Sequence, residues 1–215
     1  MRKIIQVAID SPAAAGAGTQ AKLIAKHYNL FYLDTGKIYR FIGNLRIRNN
    51  NKFNYPNIIK KIKKLKINQL NDKSLLSNKV AVEASIIAKD PKIRKIVHNF
   101  QLEFANNPPL KFKGSILDGR DITSVIMKNA TFKFFITANV KIRALRRFKE
   151  LRSLKKKITY QEVLKSVKNR DKSDFNRKIS PLKKTKDSIL INTTNLTKRS
   201  CFLKIKKIMD KKLKI

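Results

Sequence analysis

Apolar and polar positions alternate along the chain in blocks that predict strands and helices in turn. Ile4, Ile5, Val7, Ala8 and Ile9 form a short run that stops at Asp10, as a buried strand does. Small residues with one proline fill Ser11 to Gly18, and Ala21, Leu23 and Ile24 then predict a helix from Gly18-Thr19 to Tyr28-Asn29. Leu30 to Leu33 is a second buried strand, and after Asp34-Thr35-Gly36 a helix opens at Lys37. The pattern is poor from Ile42 to Asn78, where lysine and asparagine alternate with scattered Ile and Leu. Within it, Lys60 to Ile67 fits a basic strand or a helix with a narrow apolar stripe, the rest being a solvated face. Helical spacing returns over Val80 to Ile87. Pro91 starts a longer helix, Lys92 to Ala105, with Ile93, Ile96, Val97, Phe100 and Phe104 on one side. Gly114 to Leu117 and Thr131 to Thr137 are strands, and Val140 to Leu154 is a helix broken by Lys155-Lys156-Lys157. Thr159 caps a helix over Tyr160 to Asn169. Lys186 to Ile191 leads into the last strand, Asp187 to Asn192, and Leu196 to the end is a basic amphipathic helix whose Ile and Leu stripe suits a sheet better than a membrane surface.

A length of 215 residues suits one α/β domain with a substantial core. Lys and Arg number 51 against 14 Asp and Glu, a formal charge of +37. Such a surface attracts polyanions without specificity, yet the excess is lysine spread along the chain among Ile, Asn and Phe, as AT-rich coding produces. No specific nucleic-acid partner is expected on this ground. One cysteine, Cys201, excludes an internal disulfide, and two histidines leave no metal-ligand cluster. No apolar run approaches the roughly 20 residues of a membrane span, and no signal peptide is visible. A cytoplasmic monomer is the expectation.

Six places carry candidate chemistry. Strand, small-residue turn and helix from Ile4 to His27 is the layout of a phosphate-binding loop, in which backbone N–H groups face an anion. Ala17 stands where that pattern has its lysine, just before Gly18-Thr19. Asp34-Thr35-Gly36 lies where open α/β sheets place ligands, although Asp34 or Thr35 can equally be a helix cap. Arg94 opposes the dipole at the start of its helix, so it either meets a ligand or carboxylate or is solvated. Asp118-Gly119-Arg120-Asp121 ends a strand, a salt bridge or a site. Arg143, Arg146, Arg147 and Arg152 stand out against the lysine background, and arginine's planar fork suits phosphate. Arg170, Asp174 and Arg177 share one face if their helix continues.

Together these motifs resemble the bacterial cytidylate kinase family, a branch of the nucleoside monophosphate (NMP) kinases. They are Asp10-Ser11-Pro12 with Gly16-Ala17-Gly18-Thr19, Leu33-Asp34-Thr35-Gly36 with Tyr39-Arg40, Gly119-Arg120-Asp121, Arg146-Arg147, and Arg170-Asp171 with Asp174 and Arg177. The resemblance implies a three-layer P-loop NTPase fold, a parallel five-stranded sheet with helices on both faces. It divides the chain into a core of 1–40, 80–140 and 185–215, a shortened NMP-binding insertion at 41–79 and a lid at 146–176. It implies transfer of a phosphoryl group from ATP, with Mg²⁺, to CMP or dCMP. Ser11, Pro12, Ala13, Ala14, Ala15, Gly16, Ala17, Gly18 and Thr19 would cradle the ATP phosphates, with the Thr19 hydroxyl on the metal. Thr35, Tyr39, Arg40, Arg94, Asp118, Arg120, Asp121, Arg170 and Asp174 would line the CMP side. Arg120, Arg146, Arg170 and Arg177, with Asp121, would serve the transfer itself. Ser11 and Ala14 replace loop glycines, putting side chains where the backbone needs positive φ. With Ala17, two classes follow: a kinase in which Lys22 or Arg146 partly replaces the missing charge, or a kinase-like protein that binds nucleotide or nucleic acid without catalysis.

Overall fold

The computed structural model describes residues 4–50, 52, 54–155 and 157–215. Lys3, at the head of the first apolar stretch, and Lys156, in the lysine break, lie outside them.

Five parallel strands form one sheet in the order β2-β3-β1-β4-β5: β1 Ile5–Asp10, β2 Leu30–Asp34, β3 Gly114–Gly119, β4 Phe132–Thr137 and β5 Ile189–Asn192. The central β1 pairs with β3 from Ile5 opposite Gly114 to Asp10 opposite Gly119, and with β4 from Val7 opposite Phe132. Alternation along β1 sends Val7 and Ile9 to one face and Ala8 to the other, so an apolar run on this strand means burial on both sides. On the first face lie α1, Ala17–Tyr28, and α8, Lys198–Leu213, packing Ala21, Ile24, Cys201, Ile205 and Met209 against Phe132, Phe134 and Ile116. The basic C-terminal helix thus spends its stripe on the sheet. Among the described residues no helix is long and apolar enough to cross a membrane.

The other face is covered by α2 Thr35–Arg48, α3 Tyr55–Lys63, α4 Asn78–Ile87 and α5 Pro91–Asn106. The ambiguous segment Lys60 to Ile67 begins as helix, because Ile58, Ile62 and Leu65 turn inward while the lysines between them stay in solvent. Two single 3₁₀ turns, Ile67–Asn71 and Lys73–Leu76, bury Leu70 and Leu75 and complete this arm. A Cβ at Gly43 would sit 3.3 Å from the Ala84 backbone nitrogen, so glycine lets α2 and α4 pack closely.

The two remaining helices, α6 Val140–Ser153 and α7 Tyr160–Asn176, form a hairpin with its own small core of Ala144, Leu151, Val163 and Val167. Thr159 and Glu162 close a capping box at the start of α7. That helix runs on past Asn169, which places Arg170 and Asp174 one turn apart.

Candidate active site

All five strands end on the same edge of the sheet, and there Ser11 to Thr19 leave β1 and enter α1. Ala14 (φ 60°) and Gly16 (φ 93°) both take left-handed backbone, so the turn needs positive φ at a position held by alanine, whereas Ser11, where the sequence predicts the same, does not take it. The loop is held from behind. Arg143 Nη1 donates to the Ala13 carbonyl at 3.0 Å and the Thr193 hydroxyl to the Ala15 carbonyl at 3.0 Å. With its carbonyls turned away and Gly16 capping α1, the amides of Ala17, Gly18 and Thr19 are the helix's open N-terminal donors, an anion site by construction. Arg143 is fixed in turn by a bidentate pair with Asp171, at 3.0 and 2.6 Å.

Behind the loop, Asp10 is wholly buried and accepts from the Ile122 amide (2.8 Å), the Thr123 amide (2.8 Å) and the Thr123 hydroxyl (2.6 Å). Burial pushes its carboxyl up to about 6, against these three hydrogen bonds. The bonds hold the π-helical turn Ile122–Ile126, which directly follows Asp121.

A cleft of about 900 Å³ opens in front of the loop, between α4 and the α6–α7 hairpin. The whole loop Ser11 to Thr19 lines it, together with Arg40, Asp118, Arg120 and Arg170. Arg120 donates from Nε to Asp174 at 2.7 Å, and Arg170 lies 3.9 Å from the same carboxylate. Burial works against the Arg120 charge, but Asp174, Asp118 and Asp34 raise its pKa above the ordinary value. Burial and the neighbouring Arg120 lower Arg170 to about 10. Among the described residues, Asp118 Oδ1 is buried without a hydrogen-bond partner. Burial and the nearby Asp34 carboxylate hold Asp118 well above the usual carboxylate range, while Tyr32, Arg120 and Lys22 pull the other way.

Other candidates stand behind this wall. Asp174 is covered by Arg120. Arg94 is neither solvated nor free, being buried and paired with Asp121, and its guanidinium lies 5.9 Å from the centre of the Tyr39 ring. Arg177 approaches the other Asp121 oxygen at 3.8 Å and opens onto a smaller pocket of about 640 Å³, which shares Lys89, Asn169 and Ser173 with the cleft. Neither Asp34 nor Thr35 caps α2 through its side chain; the Thr35 hydroxyl donates instead to the Asp118 carbonyl at 2.9 Å, joining β2 to β3. Arg146 lies outside the cleft lining, its guanidinium spent on the Thr193 carbonyl and hydroxyl at 2.7 and 2.9 Å. The cleft also takes in Lys22, Asp34, Lys37, Ser85, Lys89 and Arg147, and the two residues that brace the loop, Arg143 and Thr193, carry no local signal of that task.

The ordered motifs of the sequence therefore meet at one cleft, and the cytidylate kinase family model matches residues 7–211. The chain belongs to the cytidylate kinase family. A cytidylate kinase of Thermosipho melanesiensis is 37% identical over 220 residues, covering 98% of this chain and 99% of the relative. Those of Bartonella tribocorum and Fusobacterium nucleatum are each 41% identical over about nine-tenths of both chains. In three dimensions, the crystal structure of an uncharacterized protein from Eubacterium ventriosum superposes with a TM-score of 0.57 at 18% identity, covering 97% of this chain and 99% of that one. That likeness bears on the fold alone, the α/β arrangement around a parallel sheet.

The alanine at φ 60° offers a test within this family's loop. Ala14→Gly is expected to raise stability by up to about 1 kcal/mol, because the left-handed conformation costs alanine what it does not cost glycine. Thermal unfolding should shift upward by about 2–4 °C, and Ala14→Val should shift it downward. A lower midpoint for the glycine variant would contradict the strain.

Proposed function

We propose that the chain transfers the γ-phosphoryl group of ATP to CMP or dCMP, giving CDP or dCDP, as a cytoplasmic monomer. One observation carries this reading: the loop Ser11 to Thr19 lines a single cleft with Arg120 and Arg170, which share Asp174. Phosphoryl transfer needs positioning and charge neutralisation rather than a covalent nucleophile. A phosphate oxygen of the acceptor bonds to the γ-phosphorus, the bond from that phosphorus to the β–γ bridging oxygen breaks, and ADP carries away the electron pair. The amides of Ala17, Gly18 and Thr19 bind the phosphates of ATP. Arg120 and Arg170 hold the transferring group, and Arg40 the acceptor. Arg146 joins them only by leaving Thr193 as the lid, 146–176, moves.

Thr35, Tyr39, Arg94, Asp121, Asp174 and Arg177 shape the nucleotide side through the buried pairs described above, and the arm at 41–79 forms its outer wall. The residues also fit a magnesium ion. Thr19 borders the cleft, and the buried Asp118 Oδ1, pressed by Asp34, has no hydrogen-bond partner among the described residues. When bound, such an ion neutralises charge on the phosphate oxygens.

A second reading rests on Ala17, which is buried and brings no charge to the loop. In it the protein binds nucleotide or nucleic acid without catalysis. The purified protein, given ATP, Mg²⁺ and CMP, is expected to form CDP. Absence of CDP from the protein as it stands, with CDP from Ala17→Lys, would reject the first reading. RNA or DNA binding that falls steeply with salt, and exceeds that of an unrelated lysine-rich protein, would favour the second.

A further inference from the structure

Ala17 leaves the phosphate loop without a cation, yet the space in front of it is not without one. Lys22 belongs to α1 itself and lines the cleft beside Gly18, Thr19 and Asp118. It follows Gly18 by four residues and Thr19 by three, so all three share one helix face. The Cα–Cβ bonds of a helix tilt toward its N-terminus. A lysine in the second turn therefore extends back over the first turn and the open amides. The rise from Ala17 to Lys22 is about 7.5 Å, a separation that the flexible four-carbon stem largely recovers.

Two further observations set Lys22 apart. Its charge and that of Arg120 both act on the buried Asp118 carboxylate, and all three residues line the same cleft. Of the other basic residues of the cleft, Lys37 donates to Asn71 at 2.9 Å, Arg40 to the Leu75 carbonyl at 2.8 Å and Arg147 to Glu150 at 2.8 Å. Lys89, after α4, and Lys165, on α7, share with Lys22 the lack of such a partner among the described residues but do not belong to the loop's own helix. Lys22 is exposed, and no hydrogen bond or ion pair among the described residues holds its ammonium.

We propose that Lys22 supplies, from the second turn of α1, the positive charge that the loop lacks at Ala17, with Nζ neutralising β- and γ-phosphoryl oxygens of bound ATP. The inference rests on the phosphoryl-transfer reading above. As the bond to the bridging oxygen breaks, negative charge grows on the β-phosphate, and a cation placed there lowers the barrier more than it strengthens substrate binding.

The test is a double-mutant cycle in the full chain, with kcat and the KM for ATP measured at saturating CMP. Lys22→Met is expected to lower kcat by on the order of 10² with a smaller rise in KM, and Lys22→Arg to recover to within about tenfold by keeping the charge. In the Ala17→Lys background the Lys22→Met loss is expected to shrink to about threefold, because the two lysines share one task. An equal loss in both backgrounds, or none in the protein as it stands, overturns the proposal. An inactive starting protein that Ala17→Lys activates also overturns it, while leaving the chemistry of the fold in place. If neither forms CDP, the phosphoryl-transfer reading itself fails and Lys22 falls with it.

Discussion

Arg120→Ala is expected to lower kcat by on the order of 10³ or more, the range associated with an arginine that stabilises a transferring phosphoryl group. Arg120 lines the cleft together with the loop, and its orientation is fixed by the 2.7 Å bond from Nε to Asp174 and by Nη1 donating to the Gly119 carbonyl at 3.2 Å. The same substitution removes the principal partner of a buried carboxylate. Burial alone would raise the pKa of Asp174, and the charges of Arg120 and Arg170 outweigh it to hold the carboxyl below its ordinary value. Breaking a fully buried pair costs about 3–5 kcal/mol. Arg170 stays 3.9 Å away and one-fifth of the Arg120 side chain is exposed, so about 2 kcal/mol is expected here. Arg120→Lys keeps the charge but loses the fork, and should fall between the two in rate. The measurements are kcat for CDP formation and urea unfolding. A kcat within tenfold for the alanine variant would remove Arg120 from the chemistry, whatever the stability loss.

Asp10→Ala is expected to cost about 3–4 kcal/mol at neutral pH. It leaves two backbone N–H groups and the Thr123 hydroxyl without an acceptor at a position with no solvent exposure, and each buried orphan costs about 1–3 kcal/mol. The pH dependence follows from the carboxyl itself. Its pKa is raised from 3.8 to about 6 in the folded state, so between these values the folded protein holds a proton that the unfolded chain has released. The contribution of this group to stability therefore falls as pH rises from about 4 to 6. Urea unfolding should show a larger gap between the protein and its Asp10→Ala variant at pH 5 than at pH 7. A gap that widened toward neutral pH would mean that ionised Asp10 is better compensated than its burial implies. Activity should also fall, because the turn held by Asp10 follows Asp121, the shared partner of Arg94 and Arg177.

The sheet and its principal helices were legible because apolar runs and 3.6-residue spacing are local signals. The first strand, the long helix with Ile93, Val97 and Phe104 turned inward, and the five strands in order all emerge from such patterns. The arm between Ile42 and Asn78 was not legible. Its helices are short and each buries only a few side chains among lysines and asparagines, so periodicity has little to act on; Ile58, Ile62 and Leu65 are apolar positions in a basic run until α5 packs beside them.

The residue types of the site were also visible in sequence: small residues after a strand, paired aspartates and arginines at strand ends, and an arginine-flanked helix. Their engagements were not. Arg94 reads as solvated or as seeking a ligand or carboxylate until the fold brings it to Asp121, and Asp34-Thr35 reads as a ligand site or a cap until β2 lies beside β3 and the Thr35 hydroxyl finds the Asp118 carbonyl. The bracing of the loop depends on Arg143, 130 residues from Ala13, and on Thr193, 178 residues from Ala15. By itself the sequence determined the alternation of elements, the phosphate loop with alanine in place of its lysine, and the family. Only the tertiary structure decided which arginines line the cleft, which are spent as struts, and that Lys22 lines it with the loop, without a hydrogen-bond partner among the described residues. Backbone periodicity is written in neighbouring residues, whereas side-chain hydrogen bonds and ion pairs form between segments that meet only when the sheet assembles.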